Sequence, residues 1–487
     1  MPRVRRGYIA AMTSDLNIAF PDPSLDPQLC RRARLSRDPR FDGEFFIGVH
    51  TTGIYCRPIC PVRPPAEKNV SYYRDAARAA QAGFRPCLRC RPESAPNSPA
   101  WNGTSTTVER ALQLIRQGAL NEGALEELAD RLGIGERYLR KLFEQELGVS
   151  PQAVALNQRL LFAKKLLAET SLPMTEVAFA SGFGSVRRFN SAVKAWFKLA
   201  PSALRRQRKT PLAGSPIRLQ LQYRPPYDWD GVMDFFERHA INGVETASQD
   251  GYQRNILIDG APSNIKVSPV KGKDALLLEL HVDDHSLLMP VVANIRRMFD
   301  LDANPAAIKE VLGLDPILAP LLAHFEGIRS PSSWSLFESA VRSIVGQQVS
   351  IKAARSVLGR LAAAVGEDAD TLTFPNAAGI AALPDKAFPM PTRRRDTLRT
   401  ICQHYSGCED DVDLATLASF KGIGPWTTAL VAMRGLGQPD IFPLKDLGLD
   451  NAWAELEGGK TPLQDRMADW RPWGSYAANL LWRSLSL

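Results

Sequence analysis

The sequence of 487 residues predicts a multidomain protein that is mainly α-helical with α+β parts. Three observations support this prediction: four grouped cysteines near the start, two similar helical units in the middle, and one helical pattern after another beyond residue 290. A chain of this length exceeds what a single hydrophobic core serves. Along the chain we expect a small α/β domain around the cysteines, a tandem helix-turn-helix domain, a small antiparallel α+β subdomain and an all-α helix-hairpin-helix core.

Breaks in composition set the predicted boundaries. Residues 94–106 and 209–216 are rich in small, polar and Pro residues and are predicted to be linkers. The expected structural units are therefore residues 1–93, 107–208, 217–295 and 296–487.

The composition is that of a globular protein without a membrane partner. Hydrophobic residues make up 45% and charged residues 23% of the chain, and no apolar stretch is long enough to span a bilayer. Only a few apolar residues follow the basic start before Asp15, so we expect no signal peptide. Seven cysteines, four of them clustered, fit a reducing compartment. We expect a cytoplasmic, nucleoid-associated protein.

Charge is distributed unevenly along the chain. Residues 1–210 carry 33 Lys and Arg against 19 Asp and Glu, whereas residues 211–487 carry 27 against 33. A basic front half predicts contact with nucleic-acid phosphates and salt-dependent binding. The acidic back half must use local geometry if it binds nucleic acid.

Four cysteines have the spacing of a metal site. Cys56 and Cys60 form a C-x3-C pair, and after 26 intervening residues Cys87 and Cys90 form a C-x2-C pair. Two such pairs predict one tetrahedral zinc ion held by four thiolates. Because a thiolate is also the nucleophilic form of cysteine, the spacing leaves open a structural or a reactive site.

The middle of the chain contains two helical units, each with a glycine turn at Gly133 or Gly182. In helix-turn-helix units the second helix enters the DNA major groove. A single unit of this kind is common in plain helical bundles, but two in tandem joined by a long helix near 152–169 resemble the AraC-type DNA-binding domain. The residues expected to face DNA are Arg137, Arg140 and Lys141 in the first unit and Arg187, Arg188 and Asn190 in the second.

The back half contains a helix, a tight turn at Gly422 and Gly424, and a second helix that starts at Pro425. Proline suits the first helical position, and exposed amides at a helix N-terminus bind phosphate. This pattern predicts a helix-hairpin-helix that grips the DNA backbone without a basic surface. A carboxylate, Asp446, follows 22 residues after Gly424.

A hairpin followed at this distance by a carboxylate resembles the helix-hairpin-helix DNA glycosylase superfamily. Residues 216–487 resemble the AlkA-type alkylpurine glycosylases in the segments 223–229, 344–350, 422–426 and 470–476. The resemblance implies that an alkylated base is flipped into a pocket, with Asp446 as the catalytic carboxylate. It also implies base contacts by Trp426, Trp482 and Phe235 and a DNA wedge at Gln348. Because Trp426 occupies the position of the lysine in strand-cutting members, it implies a monofunctional enzyme.

Residues 36–92, including the Tyr-Cys-Arg-Pro-Ile-Cys and Arg-Pro-Cys-Leu-Arg-Cys runs, resemble the amino-terminal domain of the Ada alkylation-response regulators. This resemblance implies that Cys56 accepts a methyl group from a methylated backbone phosphate, while Cys60, Cys87 and Cys90 remain zinc ligands. The chain lacks the Pro-Cys-His-Arg motif of the second Ada methyltransferase, so no O6-methylguanine repair is expected.

Together the resemblances imply an adaptive-response protein for alkylation damage, a fusion of a zinc methyl sensor, a transcriptional activator and a DNA-3-methyladenine glycosylase. The expected partners are alkylated double-stranded DNA, a promoter operator and RNA polymerase, and the expected oligomeric state is a monomer. One alternative is a DNA-binding regulator with a non-catalytic glycosylase-like half. Another is a zinc ion with a purely structural role.

Overall fold

The computed structural model describes residues 25–74, 76–87, 89–90, 92, 106–121, 123–205, 216–258, 261–282, 284–366, 371–457 and 461–487. Apart from residues 106 and 216, the two predicted linkers lie outside the described residues, as does the N-terminal segment for which no signal peptide is expected. Within the described part of the chain, no helix combines the length and the apolar character needed to cross a membrane.

The N-terminal domain is a four-stranded sheet with strand order β3-β1-β2-β4 and two helices. Its elements are α1 (Pro27–Ser36), β1 (Phe46–Val49), β2 (Ile54–Cys56), β3 (Val70–Tyr73), α2 (Ala76–Gln81) and β4 (Arg85–Pro86). Strand β1 pairs antiparallel with β2 and β3, and β4 pairs parallel with β2. This mixed sheet is the small α/β domain that the sequence predicts.

Among the described residues, the helix-turn-helix domain has the helices α3 (Thr106–Arg116), α4 (Leu125–Arg131), α5 (Glu136–Leu147), α6 (Pro151–Glu169), α7 (Met174–Ala180), α8 (Val186–Phe197) and α9 (Pro201–Leu204). The turns after α4 and α7 use Gly133 and Gly182 at φ of 68° and 75°, where L residues are disfavoured. Helix α6 begins with a Ser150 cap and Pro151 at its first position. It is the long connecting helix expected from the sequence.

A sheet subdomain follows, with five antiparallel strands in the order β5-β9-β8-β7-β6 and one helix. Its elements are β5 (Ile217–Gln222), α10 (Trp229–His239), β6 (Glu245–Ser248), β7 (Gly251–Ile258), β8 (Ala261–Pro269) and β9 (Ala275–Leu280). This is the predicted antiparallel α+β subdomain.

The rest of the described chain is a helical core of α11 (Leu288–Met298), α12 (Pro305–Leu312), α13 (Leu318–His324), α14 (Leu336–Val345), α15 (Ile351–Val365), α16 (Ala377–Ala382), α17 (Thr392–His404), α18 (Leu414–Ser419), α19 (Pro425–Leu436), α20 (Leu447–Glu457), α21 (Leu463–Arg466) and α22 (Gly474–Ser484). Helices α12 to α22 pack around two hydrophobic clusters, whereas α11 belongs to the cluster of the sheet subdomain. Helix α19 lies between them, with Val431 in one cluster and Met433 in the other. Helix α19, the second helix of the predicted hairpin, is therefore packed on both sides.

One hydrophobic cluster crosses the predicted boundary between the helix-turn-helix domain and the sheet subdomain. Leu166 of α6 and Phe197 of α8 belong to the same buried cluster as Leu219 of β5 and Val267 of β8. The first helix-turn-helix unit has a separate cluster that contains Leu139. Since burying a large aliphatic or aromatic side chain contributes about 1.5–3 kcal/mol, the second unit is strongly attached to the sheet subdomain. The sequence did not predict this shared core.

Candidate metal centre, DNA-binding helices and active site

The structure brings the four predicted metal ligands together. Parallel pairing of β2 with β4 places the two cysteine pairs at one end of the sheet, and the Cys87 amide donates to Tyr55 O at 2.9 Å. The Sγ atoms of Cys56, Cys60, Cys87 and Cys90 all lie within 4.8 Å of one another. Sulfurs bound to one tetrahedral zinc at about 2.3 Å lie about 3.8 Å apart, so the donor set fits this ion.

The cluster has an accessible side and a buried side. Cys56 and Cys60 are half-buried, whereas Cys87 and Cys90 are buried. Hydrogen bonds among the sulfurs raise the pKa of Cys56 and lower that of Cys87, so protons are shared within the cluster unless a cation replaces them. Backbone amides of Arg57 and Arg89 donate to Cys90 Sγ and Cys87 Sγ, both at 3.4 Å. Each amide stabilises negative charge on the sulfur that accepts its hydrogen bond.

Both predicted reading helices present their basic faces to solvent. On α5 the side chains of Arg137, Arg140 and Lys141 are exposed, although Arg140 pairs with Glu136 at 2.6 Å. On α8 the side chains of Arg187, Arg188 and Asn190 are exposed. The opposite faces carry the buried Phe143 and Phe189. All six polar side chains are therefore available to a ligand.

The hairpin turn is built tightly. Gly422 has a φ of 97°, and an added Cβ would lie 2.4 Å from Thr397 Oγ1. Gly424 caps α19 with extended backbone, and an added Cβ there meets no atom within 4 Å. Gln347 Nε2 binds both Gly422 O and Thr427 Oγ1 at 3.0 Å. The predicted wedge position is thus fixed beside the hairpin.

Gln348 itself is exposed, with a left-handed φ of 54°. A residue other than glycine rarely adopts this conformation, which marks many functional positions. Val349 and Ile351 beside it are 40% and 45% exposed. This loop therefore presents one polar and two apolar side chains at the protein surface.

Asp446 is held by three donors from three helices. Trp426 Nε1 on α19 donates to Asp446 Oδ2 at 2.9 Å, and Trp482 Nε1 on α22 donates to Oδ1 at 2.9 Å. The Leu449 amide in the first turn of α20 donates to Oδ1 at 3.1 Å. The two tryptophans predicted to contact the base therefore also orient the predicted catalytic carboxylate.

Arg434 is a component of the site that sequence reasoning missed. Its guanidinium carbon lies 4.5 Å from the ring centre of Phe235 and 5.3 Å from that of Trp482. It donates to Pro331 O and Asn479 Oδ1, each at 2.8 Å. Burial lowers the pKa of Arg434 to about 9, although the nearby Asp446 acts in the opposite direction. Its position eight residues after Trp426, on the same face of α19, was the signal available in the sequence.

His239 was also missed. Its Nδ1 lies 2.7 Å from Phe235 O, so this nitrogen carries the proton, and its ring lies 4.3 Å from that of Phe235 between centroids. Burial, with smaller contributions from Arg434 and Arg342, lowers the pKa of His239 to about 4. A neutral imidazole therefore backs the Phe235 ring. Phe235, Trp482, Trp426 and Asp446 are thus connected by direct contacts and through Arg434.

Comparisons with known proteins agree with this organisation. A family profile for the metal binding domain of Ada matches residues 29–93, a helix-turn-helix domain profile matches residues 128–207, and an AlkA N-terminal domain profile matches residues 218–335. A probable bifunctional transcriptional activator/DNA repair enzyme AlkA from Mycobacterium tuberculosis is 38% identical over 481 residues, covering 94% of this chain and 97% of the relative. The chain belongs to this family of bifunctional transcriptional activator/DNA repair enzymes.

Two further relatives match different parts of this chain. DNA-3-methyladenine glycosylase 2 of Escherichia coli is 30% identical over 282 residues, covering 54% of this chain and 95% of the relative. The bifunctional transcriptional activator/DNA repair enzyme Ada of Escherichia coli is 42% identical over 119 residues, covering 24% of this chain and 32% of the relative. The four-cysteine group is typical of the Ada zinc site. The fused organisation is that of the family.

Proposed function

We propose that the chain hydrolyses the N-glycosidic bond of alkylated purines such as 3-methyladenine, and that it also senses methylphosphotriesters by methyl transfer to Cys56. The observation that carries the glycosylase activity is the Asp446 carboxylate, held beside the hairpin by the indole N–H groups of Trp426 and Trp482. The likeness to DNA-3-methyladenine glycosylase 2 over the back half supports the same assignment.

Asp446 acts by charge. As the bond between base and sugar breaks, positive charge develops on the sugar, and a fixed carboxylate stabilises it. Oδ1 accepts two hydrogen bonds and Oδ2 accepts one, so Oδ2 has more capacity left to face the sugar or the attacking water. The three donors prevent rotation of the carboxylate, so little reorganisation is needed in the transition state.

The aromatic side chains receive the base. An alkylated purine carries positive charge on its ring and binds to aromatic faces by stacking and cation–π attraction. Arg434 lies over Phe235 and Trp482, and the His239 imidazole also lies against Phe235, so we expect the base to stack on the face of Trp482 that Arg434 does not cover. A strand-cutting enzyme needs a lysine amine at the position of Trp426. Here that position holds an indole that donates to Asp446, which supports a monofunctional reaction.

Replacement of the carboxylate tests the enzyme assignment. We expect Asp446→Asn to reduce the release of 3-methyladenine from alkylated duplex DNA by about 10²–10³-fold, since the amide keeps the shape and loses the charge. The matched control is Asp450→Asn, at an exposed position of α20, the helix that begins just after Asp446. Equal release by wild type and Asp446→Asn, or none by wild type, favours the DNA-binding regulator with a non-catalytic half.

Methyl transfer is assigned to the accessible side of the cysteine cluster. The Cys56 sulfur forms a bond to the methyl carbon while the bond from that carbon to the phosphate oxygen breaks, and a phosphodiester anion leaves. Bound zinc keeps the sulfurs as thiolates at neutral pH. Because Cys60 is half-buried as well, site mapping is required. A mass gain of one methyl group on Cys56 is expected after incubation with methylated DNA, and an unmodified cluster favours a purely structural zinc.

The remaining assignments concern organisation and partners. The helix-turn-helix domain makes DNA a partner, and the exposed reading helices support operator contacts by Arg137, Arg140, Lys141, Arg187, Arg188 and Asn190. We assign the units to residues 1–93, 107–208, 217–295 and 296–487. The matched ranges 29–93 and 128–207 support the first two units, whereas the third matched range, 218–335, extends past residue 295. A cytoplasmic monomer that recruits RNA polymerase completes the proposal. Promoter-dependent transcription with purified polymerase, and the mass of the protein in solution, test the last two points.

A further inference from the structure

A buried arginine joins the N-terminal domain to the sheet subdomain and the helical core. Arg224, just after β5, is fully buried. Its Nε donates to Asp42 O at 2.7 Å, and its Nη2 lies 3.2 Å from Glu44 Oε1. On the other side, its Nη1 donates to Asp302 O at 2.6 Å. Because a buried guanidinium needs partners, Arg224 favours the docked arrangement of the two halves.

Asp42 connects this arginine to the metal centre. Both Asp42 oxygens accept hydrogen bonds from the Arg57 side chain, with the Nε bond at 2.7 Å. Arg57 also donates through Nη1 to Cys90 O at 3.0 Å and through its amide to Cys90 Sγ at 3.4 Å. Arg57 and Asp42 are each 3% exposed. A continuous series of buried polar contacts thus runs from Cys90 to Asp302.

Helix α6 provides a second connection. Lys164 donates to Cys87 O at 2.9 Å, so this helix binds the backbone of a predicted metal ligand. The next residue, Lys165, donates to Gln220 O of β5, and Glu169 accepts from the Gln220 amide at 2.9 Å. Adjacent lysines therefore bind different parts of the protein. Both connections contact the buried pair, Cys87 and Cys90, whereas Cys56 is half-buried.

The far end of the series lies close to the active site. Asp302 belongs to the same turn as Asp300, whose carboxylate accepts from Tyr476 Oη and from the Ser330 amide, both at 2.9 Å. Asn479 donates to Ser330 Oγ at 3.1 Å and accepts from Arg434, which lies over Phe235 and Trp482. Hydrogen bonds thus connect the interface to the groups around Asp446.

We propose that the N-terminal domain is docked on the glycosylase half through Arg224 and Lys164, and that loss of one thiolate charge at Cys56 alters the glycosylase half through Arg57, Asp42 and Arg224. Methylation removes a negative charge from the cysteine cluster, which weakens the attraction between the cluster and Arg57 and leaves Arg57 held more by Asp42. The coupling rests on the proposed methyl transfer, whereas the docking does not.

Hydrogen exchange of the full-length protein, followed by mass spectrometry, tests the docking. In Arg224→Met we expect exchange to accelerate about fivefold or more at residues 41–48 and 299–304, because both segments lose a buried partner. The matched control is Arg218→Met on β5, because the Arg218 side chain is 64% exposed and pairs with Glu279. Unchanged exchange in Arg224→Met, or equal acceleration in Arg218→Met, overturns the docking. If Arg224→Met does not fold, the docking is tested with Lys164→Met instead, and the exchange of residues 85–87 is then expected to accelerate.

The coupling is tested on protein whose methylation at Cys56 has been verified by mass. Methylation is expected to change exchange at residues 299–304 about twofold in wild type and not in Arg224→Met. Exchange changes confined to residues 25–92 overturn the coupling. If the mass does not change, the proposed methyl transfer fails instead, and Cys56→Ala with verified zinc content supplies the loss of one thiolate for the same measurement.

Discussion

At the scale of single residues, the active site depends on how one carboxylate is held. Asp446 lies between helices and receives hydrogen bonds from the indoles of Trp426 and Trp482 and from the Leu449 amide. A hydrogen bond to a charged group contributes about 1.5–3 kcal/mol of stabilisation. We expect each indole N–H to stabilise the position and charge of the carboxylate by an amount of this order. The same indoles are aromatic surfaces, and their two roles must be separated experimentally.

The variant Trp482→Phe separates these roles. It keeps an aromatic ring beside Arg434 and removes the N–H that binds Asp446 Oδ1. We expect the single-turnover rate of 3-methyladenine release to fall about tenfold with little change in KM, since loss of about 1.4 kcal/mol of transition-state stabilisation is tenfold in rate. Trp229→Phe, which loses a hydrogen bond to Gln249 O away from the site, is the control. A full rate in Trp482→Phe would show that its indole N–H does not position Asp446.

His239 predicts a specific pH dependence of stability. The folded protein keeps this imidazole neutral down to a pKa of about 4, whereas the unfolded chain takes up a proton near 6.5. The unfolded state therefore binds more protons between these values, and the free energy of unfolding contributed by His239 is lost as pH falls from 6.5 towards 4. His239→Gln should flatten the pH dependence of Tm in this window. An unchanged profile would contradict the assigned neutral state.

At the scale of elements, the hairpin combines a strained glycine with an open one. Gly422 needs its left-handed backbone and has no room for a Cβ, whereas Gly424 has neither restriction. A Cβ added at Gly424 meets no protein atom within 4 Å, and in the proposed complex we expect it to meet the DNA backbone. Gly422 thus serves folding, whereas we expect Gly424 to serve the approach to DNA.

Gly424→Ala should raise KM for release from duplex DNA about tenfold while Tm changes little, since a tenfold loss of affinity is about 1.4 kcal/mol. Gly422→Ala should instead lower the free energy of unfolding by about 1–3 kcal/mol, because it adds backbone strain and a clash with Thr397. Gly407 also has a positive φ, but an added Cβ there meets no atom within 4 Å. Gly407→Ala therefore measures the cost of backbone strain without a clash. Wild-type KM in Gly424→Ala would argue against close backbone contact at this turn.

At the scale of the whole molecule, the shared core makes the second helix-turn-helix unit and the sheet subdomain one cooperative unit. Leu166→Ala should lower the free energy of opening of α7, α8 and β5–β9 together, by about 2–5 kcal/mol, as measured by native-state hydrogen exchange. The matched control Leu139→Ala lies in the separate cluster of the first unit and should destabilise only that unit. Independent opening of α8 and the sheet in Leu166→Ala would contradict a shared core.

Much of this protein is determined by local sequence. Cysteine spacing identified the ligand set, and glycine turns and helical periodicity identified the helix-turn-helix units and the hairpin. The role predicted for Asp446 came from the resemblance to the helix-hairpin-helix glycosylases, to which its distance from the hairpin contributed. These signals depend on residues close together in the chain. Fold class followed in the same way, because helical and strand periods are local properties.

Only the tertiary structure decided which distant groups meet. The indole contacts to Asp446, the position of Arg434 over Phe235 and Trp482, and the burial of Arg224 between Asp42 and Asp302 join residues separated by 20 to 199 positions. No local period encodes such pairs, because their partners are set by how the helices and sheets pack. The sequence thus determined the chemistry available in each part of the chain. Packing decided that the cysteine cluster, the connecting helix and the glycosylase half share buried contacts.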